Sequence, residues 1–170
     1  MKTIKKTMYL VMLFAAVLVT SCNKDDDNNN DDGGGGGGGG NSQGTLTATV
    51  DGDSYTSQTD LTQIQILGDG SVLAITGPRP QETIQFNING YNGVATYNLS
   101  ASNIGTYAIT LDPNDPANST KTYIAIDNGK LIVTEDTGSN MKGTFFFTGT
   151  NPLDPSDTKV INNGEFNISY

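Results

Sequence analysis

Apolar and polar residues alternate in short runs from residue 44 to the end of the chain. Residues 83–89 show the pattern most clearly, because Ile84, Phe86 and Ile88 fall on one side of an extended chain and polar side chains fall on the other. A period of two is typical of half-buried β-strands. The same alternation continues over residues 95–100, 106–111, 122–126, 130–134, 142–148 and 165–170.

Glycine, asparagine, aspartate and proline separate these runs. Leu46, Ala48 and Val50 share one face, and Asp51-Gly52 directly after them predicts a tight hairpin turn. Gly68-Asp69-Gly70 predicts a second turn, between apolar runs at residues 64–66 and 72–76. The longest irregular stretches, residues 112–121 and 151–159, predict long loops, where function is often found.

The pattern predicts an all-β fold, since no helical period appears after the N-terminal segment. We expect an antiparallel β-sandwich of about 8–10 short strands, with an up-and-down β-barrel as the alternative. Phe145, Phe146 and Phe147 are consecutive and therefore place aromatic rings on both faces of one strand. We expect that strand to be central, with one face covered by the second sheet and the other by a loop or a partner.

The N-terminus has the order of a secretory signal peptide. Three lysines within residues 2–6 precede an apolar run at residues 8–19. As a helix this run would be about 18 Å long, which is too short to cross the hydrocarbon of a bilayer. Cys22 is the only cysteine, and residues 18–22 resemble a bacterial lipobox. We expect Cys22 to carry a thioether-linked diacylglycerol with acyl chains such as palmitate; the alternative is an ordinary secretory signal with an incidental cysteine.

Residues 23–43 contain aspartates, asparagines and a run of eight glycines at 33–40. Such a segment has no apolar side chains to offset the entropy of ordering, so we expect a disordered linker. The predicted organisation is a signal peptide at 1–21, the acylated cysteine and linker at 22–43, and a β-rich domain at 44–170. Lys24-Asp25-Asp26 resembles an export signal of surface lipoproteins. We therefore expect lipid anchoring to the outer membrane with the domain at the cell surface; the alternatives are a plain spacer and a periplasm-facing domain.

Charge and composition exclude several function classes. After Cys22 the chain has six basic and eighteen acidic residues, a net charge of −12. This charge argues against nucleic acid and against an anionic membrane surface as partners. The chain has no histidine, which excludes Ser-His-Asp and Cys-His catalysis and His-based metal sites. We predict no catalytic residues, no metal site and no cofactor.

One loop gathers oxygen ligands of the kind that calcium prefers. Asp112, Asn114, Asp115 and Asn118 lie within seven residues of one another. The segment lacks the glycine and the terminal glutamate of a helix-loop-helix calcium site. The alternative is a turn in which prolines fix the backbone and the Asp and Asn side chains cap local amides.

Two carboxylate pairs could be compared with the acid pair of a glycosidase. These are Asp51 with Asp53, and Glu135 with Asp136. Neighbours on a strand point to opposite faces, and turn propensity already explains the first pair. Gly68-Asp69-Gly70 lacks the third glycine of a phosphate-binding loop, so a hairpin turn explains it better.

Tyrosines offer a sharper hypothesis for binding. Tyr91, Tyr97, Tyr107 and Tyr123 could stack on sugar rings, although the chain has no tryptophan. The alternative is that these rings fill the core and leave their hydroxyls at its rim.

Four short sequence segments follow one another in the chain, at residues 94–99, 129–134, 142–147 and 160–166. Tyr123 precedes the second of them. In order and spacing the chain resembles an uncharacterised β-rich domain of Bacteroidota lipoproteins, chiefly from flavobacteria. Ala95 stands where that family usually has glycine. The resemblance implies an anchored β-domain and brings no activity.

From the residues and the resemblance together, we expect a monomeric, lipid-anchored envelope lipoprotein. Its domain would have a non-enzymatic binding or accessory role toward a protein or glycan ligand. An enzyme acting on envelope polymers through carboxylates and a structural envelope protein are the alternatives.

Overall fold

A computed structural model describes residues 42–170. Cys22, the predicted signal peptide and the predicted linker lie outside these described residues, apart from the last two linker positions. The described chain is almost entirely β-structure, with one 3₁₀ turn at Thr59–Leu61 and one short helix, α1, at Pro116–Ser119. The strands are β1 Gln43–Val50, β2 Asp53–Thr56, β3 Gln63–Leu67, β4 Val72–Arg79, β5 Glu82–Asn89, β6 Ala95–Asn98, β7 Asn103–Thr110, β8 Thr120–Ala125, β9 Gly129–Asp136, β10 Asn140–Asn151 and β11 Asp154–Ser169.

The strands form one antiparallel sheet that folds over into two facing halves. One half, the β1 half, has the order β2-β1-β11-β10-β9-β6, and the other, the β5 half, has the order β8-β7-β5-β4-β3. The long strand β10 joins them, because its first part pairs with β9 and Thr150 near its end pairs with Ile124 of β8. The sheet does not close into a barrel, so the predicted all-β sandwich is confirmed.

The two halves enclose an aromatic and aliphatic core. Phe86 of β5 meets Phe145 and Phe147 of β10 edge to face, with ring centroids 4.9 and 5.8 Å apart. All three phenylalanines are at most 2% exposed. Edge-to-face pairs add stability beyond the burial of their area. The three rings therefore hold the two halves together.

The predicted inward positions are correct on both sides of this core. Leu46, Ala48 and Val50 of β1 are buried, and so are the inward residues of β5. The hairpin turn at Asp51-Gly52 is also confirmed, since both residues have positive φ, 51° and 94°. At Gly164 a Cβ would lie 2.4 Å from the Phe145 ring, so only glycine fits this position in β11.

Phe146 corrects one expectation about the central strand. Its neighbours Phe145 and Phe147 are buried, but Phe146 is 44% exposed on the outer face of the β1 half. No loop of residues 42–170 covers it, so the predicted second layer over this strand does not come from the described part of the chain.

The predicted loop at residues 151–159 is wrong. Only Pro152 and Leu153 form the turn, and β11 begins at Asp154. The start of β11 extends beyond the core, with most of its residues exposed, so no alternation of apolar residues marks it. Pro155 is tolerated because it falls in an irregularity of the ladder, where its missing N–H breaks no pairing. The other predicted loop is shortened by α1 and by the start of β8 at Thr120.

Candidate functional site

The aspartates of the candidate calcium loop are used to hold the loop itself. Asp112 Oδ1 accepts hydrogen bonds from the backbone N–H of Asn114 at 2.9 Å and from its Nδ2 at 3.2 Å. Asp115 Oδ1 accepts one from Asn118 Nδ2 at 3.0 Å. Across residues 42–170 no group of three or more acidic, cysteine or histidine side chains is placed to hold a metal. The arrangement is that of a capped turn.

Neither carboxylate pair converges on a shared space. Asp51 accepts hydrogen bonds from Lys159 Nζ at 2.7 Å and from the Val160 backbone N–H at 2.9 Å. These two bonds lower the pKa of Asp51. Glu135 lies across the ladder from Lys142, and their side chains form an ion pair at 3.0 Å.

Asp136, the neighbour of Glu135, instead accepts hydrogen bonds from the buried Tyr91 and the half-buried Tyr170. Its Oδ2 accepts from the Tyr91 hydroxyl at 2.6 Å, and its Oδ1 accepts from the Tyr170 hydroxyl at 2.7 Å. Burial alone would raise the pKa of Asp136, but the bonds from Tyr170, Tyr91 and the Gly138 N–H lower it below its usual range. Burial and the bond to Asp136 raise the pKa of Tyr170 to about 12. Asp136 is thus a structural anion that ties the end of β9 to the core.

The four candidate tyrosines fill the core, as the alternative interpretation had it. None of their side chains is more than 8% exposed. Like Tyr91, Tyr107 and Tyr123 donate to carboxylates, Glu82 at 2.7 Å and Asp157 at 3.1 Å, while Tyr97 donates to the Gly93 carbonyl at 2.7 Å. Their rings cannot stack on a sugar at the surface.

The two outer faces of the sandwich remain as candidate binding surfaces. The outer face of the β1 half carries threonines together with charged residues, among them Lys130, Lys142 and Glu165. A shallow groove of about 300 Å³ crosses it between β1 and β9. Charged side chains therefore interrupt this face.

The outer face of the β5 half carries no charged residue. Its central row crosses the five strands of this half through paired residues and reaches Thr150 of the joining strand β10, so its side chains lie on the same side of the sheet. At about 4.8 Å per strand the row is about 24 Å long. Its members are Gln63, Thr76, Gln85, Thr106, Ile124 and Thr150.

Two further rows flank this one and are also uncharged. We call the three rows together the neutral face. One flanking row consists of Gln65, Ala74, Asn87 and Ile104. The other consists of Pro78, Thr83, Ala108 and Thr122.

The amides of the neutral face are largely unused by the protein. Within residues 42–170, the only side-chain hydrogen bond of its four amides joins Gln85 Nε2 to Thr76 Oγ1, at a long 3.4 Å. The amides of Gln63, Gln65 and Asn87 make none to protein groups in that part of the chain. Each amide offers both donors and an acceptor. The neutral face therefore presents a regular array of available hydrogen-bonding groups.

The charged residues of the β5 half lie at the ends of its strands and not on this outer face. The described residues include five basic and thirteen acidic residues, a net charge of −8. The charged residues of the β5 half are Arg79, Glu82 and Lys121, which alternate onto the inward side at strand ends. Arg79 and Glu82 pair at 2.7 Å, and Lys121 pairs with Asp157 at 3.1 Å.

Comparison with known proteins identifies one family. The profile of a domain of unknown function, DUF6252, matches residues 42–168. No curated protein and no solved structure matches the chain. Among residues 42–170, no helix has the length and apolar character needed to cross a membrane.

Proposed function

Since this chain belongs to the DUF6252 family, a domain of unknown function, we propose its role from its own residues: a lipid-anchored envelope lipoprotein whose β-sandwich is a non-enzymatic binding domain. Cys22 would carry the lipid, and residues 23–42 would space the domain from the membrane. The acidic residues after Cys22 favour display at the outer surface of the outer membrane, in keeping with the resemblance to Bacteroidota lipoproteins.

The observation that carries the binding role is the neutral face. It combines an extended uncharged surface with four amides, of which only Gln85 makes a side-chain hydrogen bond within residues 42–170, to Thr76 at 3.4 Å. Burying such groups against a ligand is favourable only when the ligand supplies hydrogen bonds in return. A surface of this kind suits recognition rather than proton transfer.

The placement of the carboxylates supports a role without catalysis. Asp51, Glu82 and Glu135 are each paired with a cation, and Asp136 is held by two tyrosines. A general acid or base needs a carboxyl group within reach of a reacting atom in a cleft. These groups are engaged in holding strand ends and turns together.

Cell fractionation tests the anchoring part of the proposal. The wild-type chain and the Cys22→Ser variant are expressed in the native host, and intact cells are treated with protease before fractionation. We expect wild-type protein in the outer-membrane fraction and its loss on protease treatment, while Cys22→Ser leaves the membrane fraction. Wild-type protein that resists protease until lysis would overturn surface display, and membrane retention of Cys22→Ser would overturn lipid attachment.

A second experiment tests the binding part. Intact cells carrying wild-type protein or a variant with Gln85→Glu are exposed to a photoactivatable crosslinker, and adducts of the protein are compared. We expect an adduct that requires Gln85. Adducts of equal yield in both strains would contradict binding at the neutral face, and release of sugar reducing ends by the purified protein would contradict a non-enzymatic role.

A further inference from the structure

We propose that the neutral face binds an extended, uncharged glycan chain that lies across the strands along the row from Gln63 to Thr150. This proposal rests on the binding role proposed above and names the class of ligand.

The negative charge of the domain and the uncharged residues of the neutral face favour a neutral ligand over an anionic one. The described domain has a net charge of −8, and no cation lies on the neutral face to attract an anionic polymer. A cationic ligand would find no carboxylate there either. An uncharged polymer approaches this face without having to desolvate an ion, which is a large cost when a charge has no partner.

The hydrogen-bonding groups match sugar hydroxyls. A hydroxyl donates one hydrogen bond and accepts others, and an Asn or Gln amide can satisfy both needs at once. Gln63 of β3 and Gln85 and Asn87 of β5 place such amides on two strands, and the Thr76 hydroxyl of β4 lies between Gln63 and Gln85. A ligand rich in hydroxyls is therefore the class that leaves fewest of these groups unpaired.

The spacing of the row favours an extended polymer. Side chains of the central row repeat at about 4.8 Å, the distance between neighbouring strands. This repeat is close to the rise of one sugar residue in an extended glycan chain. Successive sugars could then meet Gln63, Thr76, Gln85 and Thr106 in turn, while Ala74 and Ala108 leave room on either side.

The face contains no aromatic ring, so hydrogen bonds would carry most of the binding. Each hydrogen bond contributes only about 0.5–1.5 kcal/mol net. The affinity for a short oligosaccharide should therefore be low and should grow with chain length until the row is filled. This length dependence separates a row-shaped site from a single-sugar pocket.

Affinity electrophoresis of the full-length protein in detergent tests the proposal. The gels contain a neutral polymer, either hydroxyethylcellulose, arabinoxylan, galactomannan or amylopectin, and polygalacturonate serves as the acidic comparison. We expect at least one neutral polymer to retard the wild-type protein and polygalacturonate to leave its mobility unchanged. No retardation by any of the four neutral polymers would overturn the proposal, as would retardation by polygalacturonate alone.

Two matched double variants locate the site. Gln85→Ala with Asn87→Ala removes two amides from the neutral face, and Asn98→Ala with Asn167→Ala removes two from the outer face of the β1 half. We expect the first variant to lose about tenfold or more in affinity and the second to bind like wild type. Equal losses, or a loss confined to the second variant, would place the ligand elsewhere.

Two controls make the result decisive. Urea unfolding of each variant shows whether it is folded. If the double variant is unfolded, Gln85→Glu replaces it, because this substitution keeps the shape of the side chain.

Sedimentation velocity tests whether a second copy of the chain occupies the neutral face. A dimer that Gln85→Glu dissociates would overturn the glycan proposal. If no glycan binds but protease still removes the domain from intact cells, surface display stands and only the ligand class is wrong.

Discussion

The two outer faces of the sandwich share one strand geometry and differ in what their side chains offer. On the β1 half, Lys130, Lys142 and Glu165 stand among threonines, whereas the three rows of the β5 half contain no charge. Folding requires apolar side chains only on the inward side of each strand. Because the outward side of the β1 half is charged in the same fold, the absence of charge on the neutral face is not a requirement of folding.

The largest expected effect comes from the core that joins the two faces. Phe86→Ala should destabilise the protein by about 3–5 kcal/mol, because it empties the contact between Phe86 and the rings of Phe145 and Phe147. Phe146→Ala makes the same substitution at a ring that is 44% exposed, and it should lower the free energy of unfolding by much less. Urea unfolding of both variants measures the difference; equal losses would show that Phe146 is covered by something that the sandwich itself does not supply.

A smaller effect is expected where a charge lies on the inward side of the sandwich. Asp136→Asn should lower the stability at pH 7 by about 1–3 kcal/mol, since the charged acceptor of Tyr91 and Tyr170 becomes neutral. The folded state lowers the pKa of Asp136. Its contribution is therefore present above the unfolded value of about 3.9 and is lost as the pH falls through the folded pKa.

Stability measured against pH tests this sign. The gap between wild type and Asp136→Asn should close below about pH 4. Asp127→Asn is the control, since Asp127 is exposed in a turn with φ 64° and asparagine adopts that conformation readily. A gap that persists unchanged into acid would mean that the carboxylate charge of Asp136 does not contribute.

Placing a charge on each outer face tests the contrast between them directly. Thr106→Lys on the neutral face and Thr144→Lys on the outer face of the β1 half should each change the stability by less than about 1 kcal/mol, the range of β-propensity effects. Polymer retardation in affinity gels should be lost only in Thr106→Lys. Unfolding of Thr106→Lys alone would show that the neutrality of that face is required for folding.

The smallest effect is expected from the ion pair of Glu135 and Lys142. Both side chains are more than 40% exposed, and exposed pairs add little to stability. Glu135→Gln should leave the urea midpoint unchanged within error at both low and high salt. A clear loss of stability at low salt that disappears at high salt would contradict this expectation. It would show that charged pairs on the outer face of the β1 half stabilise the fold, which no pair on the neutral face can do.

Much of the fold could be predicted from the sequence because burial imposes alternation. Ile84, Phe86 and Ile88 mark β5, and Asp51-Gly52 marks a turn that needs positive φ. The start of β11 could not be predicted in this way, since both its sides are largely exposed and the residues around Pro155 read as a loop. A strand that leaves the core loses the signal by which strands are recognised.

The candidate site was missed for a different reason. The residue types that suggested chemistry were acidic side chains in predicted loops and tyrosines, and the structure places these groups in turns and in the core. The neutral face is assembled from strands whose order in the sheet does not follow from local pattern. A signal was nevertheless present: Gln85 and Asn87, the outward residues between Ile84 and Ile88, are uncharged, as are the outward residues of β3, β4 and β7. Counting charge separately for the two sides of each strand would have found it.

The pairing of β1 determines how the domain would carry mechanical load. The chain enters the sandwich at Gln43, which lies opposite Ser169, and from there β1 runs antiparallel to β11 as far as Val50 opposite Ile161. Ladder hydrogen bonds lie perpendicular to their strands. A pull on Gln43 along β1 would therefore strain many bonds at once in shear instead of opening them one by one. If the domain is anchored from this end as proposed, this geometry would resist unfolding when a bound ligand is dragged away.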